Sequence, residues 1–477
     1  MKNPMRIGAS IVCVMIVFMV IGSMIVALNK PDDIIQEPSG EPGTAIIHSP
    51  EDLYQQAVNS IALSRDLSFS IRTDTMTKIG EEIFSETSEQ TVRYNNLGTA
   101  SMTARVDDIR TWGSYVVPYS EAYTNNLMCC TIGGGKFCSP MSSSSFKKRF
   151  APVILLDPAC YKSSSVTSED GTFLLKFEQP VAIEDWAAVE NATLVSAAGT
   201  AVLDEQNNLL ENTYSLTYTQ DISEVTKTVH VIIRNSESVP IPQTSEYLPI
   251  DDPNAPLMLE RACGYLMQAT TVSAQTDETM LCEAFNDNRT QTLDINMHGK
   301  GQAFTANLDF NTLLVNSSQA GDEVQKTETS SFENGKQTTL LNGIPVDDNK
   351  NITADEMRKK CQQYLLGTVL MPKYISGSIS KTNDNTIRYE YTATNDLAKT
   401  LCQYVSSTLY EKPDLLLNLS SSYTTDSLTA YLEVSRNTGL PTSAGISYTG
   451  IYTIEDHPYL MKYATSQNYS LASQGSS

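Results

Sequence analysis

Four histidines, His48, His230, His298 and His457, are all the imidazole chemistry the chain offers. None stands in an HExxH pair or another metal-ligand spacing, so metal-assisted hydrolysis has no signature. His230 falls in an alternating stretch and reads as a surface or rim residue. No Gly-x-Ser-x-Gly elbow is present to expose a nucleophilic serine. Gly133 to Gly135 precede Lys136, but Cys130 stands where a phosphate-binding loop needs its first glycine and Phe137 where it needs a hydroxyl. These glycines read as a hairpin turn. Carboxylates are plentiful, and spacing alone leaves a glycosidase-like pair open. Without a further signature, no enzymatic activity, metal or cofactor is expected.

The cysteines number nine. Cys13 lies inside a long apolar run, Cys129, Cys130, Cys138 and Cys160 in the first half, and Cys263, Cys282, Cys361 and Cys402 in the second. An even four per half suits disulfides formed outside the cytoplasm. Cys361 and Cys402 sit on two expected helices and are the bridge to look for, although four cysteines allow three pairings. The competing reading makes some of them buried thiols that pack as small hydrophobes. Cys129-Cys130-x7-Cys138 lacks the CxxC knuckle of structural zinc sites.

What positions these residues begins with an anchor. Ile7 to Leu28 carries no charge, long enough to cross a ~30 Å hydrocarbon core at ~1.5 Å per residue. Lys2 and Arg6 precede it, while Asp32, Asp33, Glu37 and Glu41 follow, so residues 1–6 are expected in the cytoplasm and the bulk outside the cell membrane. A net charge of −22 makes nucleic acid an unsuitable partner, and 40% hydrophobic residues suffice for folded cores. Residues 29–50, rich in Pro, Gly and acids, read as a stalk. Pro240, Pro242, Pro249, Pro253 and Pro256 mark residues 236–256 as a linker between regions 51–235 and 257–465, with 466–477 as a disordered tail.

The two regions share residues in the same order. Ser70, Thr73 and Asp74 match Ser273, Thr276 and Asp277, and Thr200, Ala201 and Leu203 match Thr429, Ala430 and Leu432. An internal duplication is the expectation. Each region opens with an apolar-periodic helix, at Leu53 to Leu63 and Leu257 to Met267. Alternating strands follow, among them Thr228 to Ile233 and Ile387 to Thr392. Helices are expected again at Phe146 to Leu156 and Ala354 to Leu366, the latter with a Thr353 to Glu356 capping box, and shorter ones near Ile183 and Leu397.

A helix, a meandering sheet and midway helices, with the hairpin TAYLEVSRNTGLPTSAGISYTG from Thr429 to Gly450, resemble the LolA/LppX-like lipoprotein-carrier fold. The first region departs from that hairpin, with Asn208-Leu209-Leu210-Glu211 where the second has Asn437-Thr438-Gly439-Leu440. The resemblance implies an α+β chain: two tandem curved antiparallel sheets, each a half-barrel with helical lids, after an N-terminal transmembrane helix. It further implies a tethered binder of lipid, lipoprotein or another hydrophobic ligand. An envelope protein-interaction or signalling module is the alternative expectation, and a glycan-active enzyme the third.

Overall fold

A computed structural model describes residues 49–477, apart from 98, 151–160, 170, 181–191, 221, 236, 241–242, 284–286, 317–322, 347–350, 383–385, 395, 398–422, 437, 455 and 472–477. The expected anchor and stalk therefore lie outside the described residues, apart from Ser49 and Pro50. Among those described, no helix is long and apolar enough to cross a membrane.

Helix α1, Pro50–Leu63, starts where Ser49 accepts a hydrogen bond from the Asp52 amide at 3.1 Å, with Pro50 and two acids in its first turn. These are the groups that satisfy and neutralise a helix N-terminus. Eleven strands then build one sheet: β1 Leu67–Ile79, β2 Glu82–Asn95, β3 Thr103–Trp112, β4 Tyr115–Thr124, β5 Leu127–Ile132, β6 Gly135–Pro140, β7 Tyr161–Glu169, β8 Thr172–Pro180, β9 Ala192–Leu203, β10 Leu209–Gln220 and β11 Ser223–Arg234. Helix α2, Ser143–Phe150, separates β6 from β7. A short strand from the Pro-rich segment, β12 Leu248–Pro249, adds itself parallel to β6. The order is β12-β6-β5-β4-β3-β2-β1-β11-β10-β9-β8-β7.

The second sheet repeats this plan. Helix α3, Ala255–Gln268, precedes β13 Val272–Cys282, β14 Asp287–His298, β15 Thr305–Asn316, β16 Glu323–Glu333, β17 Lys336–Leu341 and β18 Ile344–Pro345. Helix α4, Ala354–Gln363, precedes β19 Ile375–Thr382, β20 Thr386–Ala393, β21 Tyr423–Ser435, β22 Pro441–Ile454 and β23 His457–Ser470. The order is β18-β17-β16-β15-β14-β13-β23-β22-β21-β20-β19, so each unit closes its last strand against its first. The chain is thus mostly β-sheet with few helices among the described residues, in two open sheets of like strand order.

One face of each sheet is apolar and carries helices. On the first, Phe69, Ile71, Val92, Val106 and Val231 point inward, alternating with polar residues on the other face. Tyr54 of α1 packs edge-on to Phe177 at 5.7 Å between centroids. Helix α3 is apolar nearly all round, with Met258, Leu259, Ala262, Cys263, Tyr265 and Leu266 buried, because it lies between the units. Its Gly264 lets it approach Trp112, since a Cβ there would stand 2.5 Å from the Trp112 Cβ. Gln268 also closes on β2, accepting from the Ser85 amide at 2.7 Å and donating to the Ser85 carbonyl at 2.9 Å. Buried residues of both units form one continuous cluster.

Several expected boundaries land elsewhere. Ser466 to Ser470, expected in a tail, end β23, and Gln467 is fully buried. Of the helix expected over 146–156, the described part falls within Ser143–Phe150, which starts three residues earlier, and 151–156 lie outside the described residues. Residues near Ile183 lie outside the described ones, as do those beyond Leu397, although Asp396 and Leu397 are themselves helical.

Candidate functional site

The helix-free face of the first sheet bears an open groove of about 820 Å³. Its floor follows from cross-strand register. His230 of β11, Arg72 of β1, Glu89 of β2, Ile109 of β3 and Pro118 of β4 lie directly opposite one another in sequence across the sheet. Directly opposed residues share a face, so a row that is dispersed in sequence becomes contiguous. One step along, Ile232, Ser70, Thr91, Asp107, Ser120 and Thr131 form the next row.

The charges are ordered. Arg72 donates to Asp74 at 2.9 Å and to Glu89 at 2.7 Å. Arg105 donates to Asp107 from two nitrogens, at 2.9 and 2.7 Å, and Arg93 bridges Asp107 at 3.3 Å and Glu237 at 2.8 Å. His230 Nε2 meets Glu211 at 2.9 Å. The Arg72 guanidinium, with Thr87, holds the Asp74 carboxyl below its ordinary range against the opposing effect of burial. Ile109 is half exposed among these ions. Such exposed pairs contribute little to stability, typically below ~1 kcal/mol each. Their consequence is a surface patterned with both signs of charge and interrupted by aliphatic ground.

One rim of this face is roofed by the Pro-rich segment. Glu237 pairs with Arg93, the Val239 amide donates to Asn95 Oδ1 at 2.9 Å, and Lys136 meets Glu246 at 2.6 Å. The Ile250 amide then donates to the Cys138 carbonyl at 2.9 Å.

The helix-free face of the second sheet carries a smaller groove of about 410 Å³. There Arg388 stacks 3.5 Å from the Tyr431 ring centroid and pairs with Glu390 and Glu433, each at 3.2 Å. Asp277 lines it.

The covered faces hold a different set of charges. Arg110 binds Asp108 at 2.6 Å and Glu86 at 2.9 Å, and Arg261 of α3 reaches Glu86 at 3.1 Å. Burial raises Glu86, but Arg261 and Arg110 outweigh it and hold the carboxyl below its ordinary value. Asp108 also accepts from Ser88 and Gln90, both at 3.0 Å. The Arg261 contact with Glu86 ties α3 to the first sheet through this buried cluster. Glu260 differs: burial raises it, against the lowering effects of the Tyr115 hydroxyl that donates to it and of Lys373.

Of the residues singled out from sequence, Cys361 is fully buried on α4, and its expected bridge partner Cys402 lies outside the described residues. His230 stands at the groove; His298 accompanies Thr271 at 3.1 Å; His48 is outside the described residues. Among the described residues, no group of three or more His, Cys, Asp or Glu is placed to hold a metal ion.

No protein-family model matches the chain, and no curated protein matches it. Solved structures give distant likenesses. LprF from Mycobacterium bovis is 12% identical over 41% of this chain and 96% of its own, with a TM-score of 0.26. The MucA/MucB complex of Pseudomonas aeruginosa is 4% identical over 87% of this chain and 93% of that one, at 0.17. Kievitone hydratase from Nectria haematococca is 8% identical over 84% and 89%, at 0.12. At such scores these likenesses carry no weight for function.

Proposed function

We propose that the chain is a membrane-tethered, extracytoplasmic binding protein, and that it binds through the helix-free face of its first sheet. The supporting observation is the groove itself, where Arg72, Glu89, Arg105, Asp107 and His230 frame Ile109 on a wide open face. Interfaces favour such a mix, because arginines and aliphatic ground bury together while matched charges set register. The ligand this face suits is polar and extended, a segment of a protein partner carrying both signs of charge. Tethering rests on the apolar run from Ile7 to Leu28. The shared strand order of the two units supports reading them as copies of one domain, the second with its own, smaller groove.

A second reading is a hydrophobic ligand held between a sheet and the helices crossing it. What favours it is the apolar face of each sheet, over which helices are laid. The described part of that face is filled by packed side chains such as Phe84, Tyr94, Trp112 and Tyr265. Native mass spectrometry of residues 46–477, purified from the host that makes the protein, separates the readings. A polypeptide adduct lost in an Arg72→Glu, Arg105→Glu double variant supports the groove. A lipid-sized mass retained by that variant and lost on denaturation supports the hydrophobic ligand instead.

A further inference from the structure

Cys129 and Cys138 lie directly opposite each other on β5 and β6. The turn joining these strands is Gly133-Gly134, with φ of 54° and 83°, both in the left-handed region that a two-residue hairpin turn of the type I′ kind requires. Such a turn is closed by a hydrogen-bonded pair, here Ile132 and Gly135. Pairs then alternate along the ladder, so Thr131 with Lys136 is not hydrogen-bonded, Cys130 with Phe137 is, and Cys129 with Cys138 is not. At non-hydrogen-bonded positions the Cα atoms approach to about 4.5 Å, inside the range a disulfide spans, and the two side chains share a face. Both are thiols here, Cys129 buried and Cys138 half-buried. Cys130 points to the opposite, helix-covered face and has no such neighbour in its row, where it faces Phe137.

We infer that Cys129 and Cys138 are a built cross-strand disulfide site, which clamps the β5–β6 hairpin beneath the Pro-rich segment. The inferred extracytoplasmic placement supplies the oxidising surroundings, and the chemistry itself does not depend on it. The oxidant required is a disulfide. The Cys138 thiolate, the more accessible of the two, attacks one sulfur of that disulfide, forming a mixed disulfide and releasing one thiolate. The Cys129 thiolate then attacks the Cys138 sulfur, forming the Cys129–Cys138 bond and releasing the second thiolate. Two protons pass from the cysteines to the released thiolates, and two electrons reduce the oxidant to two thiols. Burial pushes Cys129 up to about 11, with Cys138 as the second cause, so closure is slow at neutral pH and quickens as pH rises.

The product is placed to matter for the segment above it. The Cys138 carbonyl accepts from the Ile250 amide, and its sulfur lies 3.8 Å from the Tyr247 carbonyl oxygen. Closing the pair fixes the strand on which β12 is laid.

The test is to treat the purified full-length chain in detergent with oxidised glutathione, quench with an alkylating agent, and digest with trypsin without reduction. Cleavage at Lys136 separates Thr111–Lys136 from Phe137–Lys147. The expected result is that these two peptides stay joined until reduced, in the native chain and in Cys130→Ala alike. In Cys129→Ala the join is lost, and Cys138 is recovered as a glutathione adduct. Oxidation should also raise the melting temperature of the native chain and leave that of a Cys129→Ala, Cys138→Ala variant unmoved. Recovery of both cysteines alkylated, or a join that needs Cys130, would overturn the inference.

Discussion

Buried charge is where single residues carry the largest consequences. Arg289 is 1% exposed and pairs with Glu278, whose other oxygen accepts from the Tyr463 hydroxyl at 3.0 Å. Removing one member of such a pair leaves the other desolvated, which costs about 3–5 kcal/mol. Arg289→Met should therefore lower the unfolding free energy by that order in urea titration, whereas the exposed Arg72→Met should change it by less than ~1 kcal/mol. Glu260 makes a prediction of the opposite sign. Its folded-state pKa is raised above 4.5 by burial, so the folded state binds its proton more tightly than the unfolded chain does. Stability on this group's account falls as pH climbs from 4.5 through the raised value, and stays lowered above it. Glu260→Gln should thus stabilise the protein at neutral pH while still accepting from Tyr115, and the gain should vanish in melts run below pH 4.5. A gain that persists in acid would assign the effect to packing instead.

Helices and turns were largely legible in the sequence, because their signals are local. Thr353 caps α4 as its spacing to Glu356 indicated: its amide donates to Glu356 Oε2 at 2.7 Å and its hydroxyl accepts from the Glu356 amide at 3.2 Å. Thr353→Ala should cost ~1 kcal/mol, read as a lower melting midpoint with unchanged sheet content. The apolar periods at Leu53 and Leu257 marked α1 and α3, and the glycines at 133 to 135 marked a hairpin. Counting outward from that turn would have set Cys129 against Cys138; the signal was present and the pairing follows from it. The groove was hidden for a different reason. Arg72, Glu89, Ile109 and Pro118 each sit on the solvent side of an alternating strand, and only register, which is set by contacts distant in sequence, lines them up. The parallel docking of Leu248 and Pro249 on β6 was hidden likewise, since five prolines nearby signal a linker more strongly than two residues signal a strand. Helix α3 carries its own test of the close approach it makes. Gly264→Val should push against Trp112 and cost about 1–3 kcal/mol in a denaturant titration, the range for overpacking a filled site.

At the scale of the molecule, two sheets of like strand order are joined by one buried helix and one continuous core, with their polar faces left open. The net charge of −22 disfavours nucleic acid as a partner, and on one face of this acidic protein Arg72, Arg93 and Arg105 alternate with the carboxylates of Asp74, Glu89, Asp107 and Glu237. A partner recognised there would exchange its own charges for Asp74, Asp107 and Glu89, and its on-rate would fall as salt rises. The most direct test of groove binding is site-specific photo-crosslinking in the host membrane, with the probe at Ile109 in the groove and, as control, at the exposed Ile222 on the β10–β11 turn. Groove binding predicts a discrete polypeptide adduct at Ile109, absent at Ile222 and abolished by the Arg72→Glu, Arg105→Glu double variant. Equal labelling at both positions, or an Ile109 adduct indifferent to that variant, would contradict it.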